Sequence, residues 1–69
     1  MKTTKKQFKN LALQIMCLLA SRQVDEDYAN TWYHIIACDF VLGFEHARLT
    51  DYQLSIERLS NLPIINNNK

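Results

Sequence analysis

Sixty-nine residues, 48% apolar and 22% charged, are the size and composition of a single folded domain rather than a disordered segment. Eight Lys and Arg against seven Asp and Glu leave a net charge of +1, which argues against a partner held by bulk charge alone. One Gly and one Pro are too few for a small sandwich or barrel full of tight turns, and two Cys cannot build a dense disulfide framework. The expectation is an all-α, reduced, cytoplasmic domain: a small bundle of three helices over residues 1–63, completed where needed by self-association, with 64–69 as a flexible tail.

The N-terminal segment has the outline of an export signal, since Lys2, Lys5, Lys6 and Lys9 precede the apolar run from Leu11 to Ala20. Gln14 interrupts that run, and Met16 stands before Cys17 where lipoprotein cleavage wants a small residue. The run is also far short of the roughly 20 residues that span a bilayer. The segment therefore reads as a helix of the domain, with no membrane partner.

The first helix is predicted over about 5–22. Thr4-Lys5-Lys6-Gln7 has capping-box spacing, in which the Thr hydroxyl and the Gln side chain satisfy each other's backbone amides. Phe8, Leu11, Ile15 and Leu19 then recur at three- and four-residue steps on one face, with Leu18 and Met16 beside them. A second, weaker stripe of Leu13, Cys17 and Ala20 lies on the far side. The second helix is predicted over 26–48, because Asp25 is a good N-cap and Glu26 and Asp27 complement the positive end of the helix dipole. Tyr28, Trp32, Ile35 and Ile36 form its most continuous stripe, and Gly43 marks a bend or a close helix contact. The third helix is predicted over 51–62 from a second capping box, Thr50-Asp51-Tyr52-Gln53, with Leu49 and Leu54 as a hydrophobic staple. Ile56, Leu59 and Leu62 carry its apolar side, and Pro63 stops it. The expected core is Phe8, Leu11, Ile15, Leu19, Tyr28, Trp32, Ile35, Ile36, Leu54, Ile56 and Leu59.

Helix 2 carries more apolar surface than one neighbour can cover. At 100° per residue its polar residues Asn30, Thr31, His34, Glu45 and Arg48 share a single arc of about 100°. Trp32, Ile35 and Leu42 lie on one flank, Tyr33, Ala37, Phe40 and Phe44 on another. Either helix 2 is sandwiched between helices 1 and 3, or part of this surface meets a second copy or a different chain. The candidate contact residues are Leu13, Cys17, Tyr33, Ala37, Phe40 and Phe44.

Catalytic and metal chemistry find little support. His34 and Cys38 are four apart, a spacing that can serve one metal ion, but only His46 and Cys17 remain as further ligands and CxxC pairs are missing, so no metal or cofactor is expected. A Cys17–Cys38 disulfide suits antiparallel helices, although a reducing cytosol disfavours it. Asp39 falls in the apolar arc beside Trp32, Ile36 and Gly43 and needs a partner, with His46 or an Arg from another helix as candidates. No second carboxylate at a useful spacing, nucleophile motif or phosphate loop is present, so an enzyme is not expected. Lys5, Lys6 and Lys9 spread around the first turns rather than lining one stripe, and helix 3 sets Asp51 and Glu57 among Gln53, Arg58 and Asn61. Direct operator binding is therefore not the favoured reading.

The order of residues resembles a known family. Phe8, Leu11-Ala12, Tyr28-Ala29-x-x-Trp32, Ala47-Arg48 and Arg58 are similar to the pattern of the ANR proteins, small negative regulators of AraC-type transcription activators, over roughly residues 8–62. The chain has Asp51, Leu54 and Leu62 where that pattern has an Asn, a second Trp and a Cys, and its first helix is Leu-rich instead of Ala-rich. The resemblance implies a helical inhibitor, without active site or metal, that binds the linker and dimerisation region of a virulence activator and blocks productive DNA binding. It also implies contact with the nucleoid-structuring protein H-NS. Two other readings remain: a phage- or plasmid-type DNA-associated protein using the Lys-rich N-terminus, and an antitoxin-like inhibitor of an unrelated protein.

Overall fold

The computed structural model describes residues 4–65, which form three helices: α1 (Lys5–Ser21), α2 (Glu26–Val41) and α3 (Leu49–Ser60). The first cap forms as its spacing dictates, with the Gln7 amide donating to Thr4 Oγ1 at 3.2 Å and the Thr4 amide donating to Gln7 Oε1 at 2.7 Å. At α2 the Tyr28 amide donates to the Asp25 carboxylate at 3.3 Å.

Two helix boundaries depart from the periodicity. α2 ends at Val41 and does not continue to residue 48, because Gly43 (φ 66°) and Phe44 (φ 63°) both take left-handed backbone. The Phe44 amide donates back to the Asp39 carbonyl at 2.6 Å, which closes the helix end. Gly43 adopts this geometry without Cβ strain, whereas Phe44 incurs about 1–2 kcal/mol. Burial of its ring against Phe8, at 5.6 Å between centroids and 6° between planes, offsets that cost. α3 starts at Leu49, and its N-cap Arg48 makes no side-chain cap hydrogen bond. Thr50 is already inside the helix, so neither the second capping box nor the Leu49–Leu54 staple forms.

The core consists of Phe8, Ala12, Ile15 and Leu19 from α1, Trp32 and Ile36 from α2, Phe44 from the turn, and Tyr52 and Leu59 from α3. Leu11, Tyr28, Ile35 and Ile56 are partly buried against it. Leu54, expected inside, is 57% exposed: it lies two residues beyond Tyr52, about 200° around the helix from that buried side chain. Tyr52 takes the central place. Its ring is 1% exposed and meets Phe8 and Trp32 edge-on, at 5.3 and 5.4 Å between centroids.

α1, not α2, is the middle element. Its backbone packs closely against α3, with Ala12 fully buried on the stripe that faces the core, and over a shorter stretch against α2. α2 and α3 meet through side chains, held apart by the Trp32 and Tyr52 rings. Of the two readings of the α2 surface, the sandwich between helices 1 and 3 is thus not formed, and one flank of α2 stays open. The first two residues of the tail expected after Pro63 are paired with the end of α1 and the chain that follows it. Arg22 and Ile64 form an antiparallel bridge, the Gln23 amide donates to the Pro63 carbonyl at 2.8 Å, and the Ile65 amide donates to the Ser21 carbonyl at 3.0 Å. The remainder of the tail, 66–69, lies outside the described residues. No described helix is long and apolar enough to cross a membrane.

Candidate protein-binding surface

The short connection after α1 turns the chain back, so that the C-terminal part of α2 lies beside the N-terminal part of α1. The Lys9 ammonium sits 5.7 Å above the Phe40 ring, which fixes this register. One turn in opposite directions from that pair sets Leu13 level with Ala37, and two turns set Met16 and Cys17 level with Tyr33. These side chains are all exposed, Leu13 by 58% and Phe40 by 49%. The flanks of α1 and α2 therefore group apolar side chains that remain roughly half exposed, Tyr33 by 40% and Met16 by 39%. Isolated exposed Leu or Phe residues are ordinary, but a grouped set on adjoining helices is the surface form of a contact site.

Five of the six contact candidates, Leu13, Cys17, Tyr33, Ala37 and Phe40, lie on this face. Phe44 does not. The left-handed turn carries it away from the α2 helical register, and its ring is buried between Phe8 and Phe40. Met16, Val41 and Leu42 were not among the candidates and are exposed too; Val41, at 85%, is the most open large apolar side chain described. Leu42, half exposed, is the C-cap of α2 and not an interior position of a longer helix.

A second feature lies between α2 and α3, a cleft of about 390 Å³ bordered by Tyr28, Trp32, Asp39, Tyr52, Ser55 and Arg58 among others. Four of its polar groups are hydrogen-bonded in pairs. The Tyr52 hydroxyl donates to Asp39 Oδ2 at 2.7 Å, so the partner of that carboxylate is a phenol rather than the His46 or Arg expected. Tyr28 Oη and Ser55 Oγ are 3.1 Å apart, and the Arg58 guanidinium lies 5.5 Å from the centre of the Tyr28 ring. Burial, first, and then the hydrogen bond and negative charge of Asp39 push the Tyr52 phenol well above its ordinary value of 10.0. Asp39 and Asp51 stand among His46, Arg48 and Arg58, so the rim carries both signs and no single-sign field.

Among the described residues no group of three or more His, Cys, Asp or Glu side chains converges to hold a metal ion. Cys17 and Cys38 are both exposed and unbridged. No family model, curated protein or solved structure matches the chain.

Proposed function

We propose that this chain is a regulatory protein that acts by binding another protein through the α1–α2 face, and that its target is a transcription activator of the AraC type in the cytoplasm. The observation that carries the first half is the grouping of Leu13, Tyr33, Ala37 and Phe40 on adjoining, open flanks of two helices. The resemblance to the ANR proteins supplies the class of target, and with it H-NS as a further partner. The apolar residues of that resemblance belong to the core or pack against it, and Arg48 and Arg58 are exposed. Phe8, Ala12 and Trp32 are buried, Leu11, Tyr28, Ala29 and Ala47 pack against them, and Arg58 covers Tyr28. They hold the framework, while the contact face is composed of other positions and sets which target is held.

The mechanism is competition between helix packings. An activator that dimerises through its own helices would find the α1–α2 face a substitute partner, and inhibition would equal the difference between two interface free energies. Full burial of a Leu or Phe side chain contributes about 1.5–3 kcal/mol, so the half that Leu13 and Phe40 still expose leaves about 1 kcal/mol each to gain. Several such contacts are needed against association costs of about 4 kcal/mol or more, which favours a broad face over one anchor.

The alternative of a DNA-associated protein draws on the N-terminal lysines, of which Lys2 lies outside the described residues. Lys9 is engaged over Phe40, and the Lys5 stem lies beside Gly43. A two-hybrid or reporter assay with an AraC-type activator decides between them. Leu13→Glu and Phe40→Glu should release the activator with helicity retained, and neutralising Lys2, Lys5 and Lys6, which leaves the Lys9–Phe40 contact in place, should matter less. Repression that survives both Glu substitutions but is lost with the lysines overturns the proposal in favour of DNA.

A further inference from the structure

On the outer face of α2 a histidine and a cysteine, residue types that can ligate a metal ion, are hydrogen-bonded to each other. His34 Nε2 and Cys38 Sγ stand 3.6 Å apart, one helical turn from each other, and both residues are exposed. A tetrahedral zinc ion binds a thiolate at about 2.3 Å and an imidazole at about 2.0–2.1 Å, which places the two donor atoms about 3.5–3.6 Å apart along an edge of the tetrahedron. The pair already has that separation. A shallow, open and largely apolar depression lies over it, bordered by Ala37, Val41 and Leu42 together with His34 and Cys38.

One edge is half of a structural site, and the described part of this chain brings no third ligand to it. The sequence positions show where the other half comes from. His34, Ala37, Cys38 and Val41 occur at i, i+3, i+4 and i+7, the spacing of a seam between two packed helices, with the small Ala37 at its centre and the wide-open Val41 at its end. A two-fold axis through the ion, passing midway between His34 and Cys38, sets the His–Cys pair of one chain against that of its copy and completes a Cys2His2 set. The flanking apolar side chains would be covered in the same step. Nitrogen and thiolate donors in a closed tetrahedron suit zinc among the common divalent ions.

We propose that His34 and Cys38 form a zinc half-site that is completed by a second copy of this chain, joining two α2 helices along the seam His34, Ala37, Cys38 and Val41. On coordination the thiol proton passes to solvent and no other bond changes. The seam shares Ala37 with the α1–α2 face, but its two ligands His34 and Cys38 are not among that face's residues, and the site does not rest on the identity of the target.

The test is a cobalt(II) titration of the full chain under reducing conditions, followed by the thiolate-to-metal absorption band and by native mass spectrometry. The expected result is one cobalt ion per two chains, a metal-dependent shift from monomer to dimer, displacement of cobalt by zinc, and return to monomer with chelator. Cys38→Ser and His34→Gln should lose both the band and the dimer while keeping the helical circular dichroism of the parent. Cys17→Ser and His46→Gln should keep all three. The proposal is overturned by one metal per chain without dimerisation, by a dimer that survives chelator, by binding that persists in Cys38→Ser or His34→Gln, or by no band with cobalt in excess.

Discussion

Tyr52→Phe isolates the link between the core and Asp39. The substitution keeps the ring that meets Phe8 and Trp32 edge-on and removes only the hydroxyl that donates to Asp39 Oδ2 at 2.7 Å. Hydrogen bonds to charged groups contribute about 1.5–3 kcal/mol, and water reaches the half-buried carboxylate to recover part of the loss. The expected cost is therefore about 1–2 kcal/mol. At about 0.05–0.15 kcal/mol per residue, a chain of this length has roughly 3–10 kcal/mol in total, so the variant should fold but melt early. Urea unfolding followed by far-ultraviolet circular dichroism measures the loss directly. A double-mutant cycle with Asp39→Asn should return a coupling within the range of about 0.5–3 kcal/mol seen for contacting residues. A change within about 0.5 kcal/mol of the parent, the range of an inconsequential surface substitution, would refute the reasoning.

Alkaline pH should act through the same group. Because the folded state holds the Tyr52 proton more tightly than the unfolded chain, the contribution is complete below about pH 10 and is lost as pH rises towards the folded value, at no more than about 1.4 kcal/mol per pH unit; urea midpoints across that range should show this component in the parent and not in Tyr52→Phe. Gly43→Ala should cost about 1–2 kcal/mol by left-handed strain alone, since an added Cβ would stand 3.5 Å from Lys5 Cε, an ordinary contact; a thermal melt unchanged from the parent would contradict it. Trp32→Ala should cost about 3–5 kcal/mol and abolish the cooperative urea transition, and a variant that stays folded would mean that the ring is not essential to the core.

Side-chain chemistry that acts over three or four residues was legible in the sequence. The Thr4–Gln7 box and the Asp25 cap need only local geometry, and the stripe Phe8, Ile15 and Leu19 follows from the helical period. What the period could not register was a change of backbone at Gly43 and Phe44. Extrapolating the α2 wheel through that turn placed Phe44 on the surface, whereas two left-handed residues return it to the core. The glycine was the available signal, and it was weighed as a bend in a continuing helix. At α3 the reading followed a strong capping pattern at Thr50, although Leu49 begins the helix without a side-chain cap. Starting from Tyr52, Ile56 and Leu59 would have found the buried face and placed Leu54 outside it. Burial of the Tyr52 ring required knowing that it fills the gap between α2 and α3, a contact no local pattern encodes. The pairing of 21–23 with Pro63, Ile64 and Ile65 is likewise non-local. For the contact face, the surplus of apolar residues on helices 1 and 2 was visible in the sequence, but their division between core and surface depended on which helix lies in the middle.

The central claim, that the α1–α2 face is the contact surface for an AraC-type activator, is tested most directly by hydrogen exchange of the full chain with and without the activator's linker and dimerisation region. Exchange should slow over 13–20 in α1 and 33–41 in α2, where the exposed apolar side chains lie, and remain as in the free protein over α3. Protection confined to α3 or to the lysine-bearing first turn of α1, or no protection at activator concentrations that saturate repression, would contradict the account.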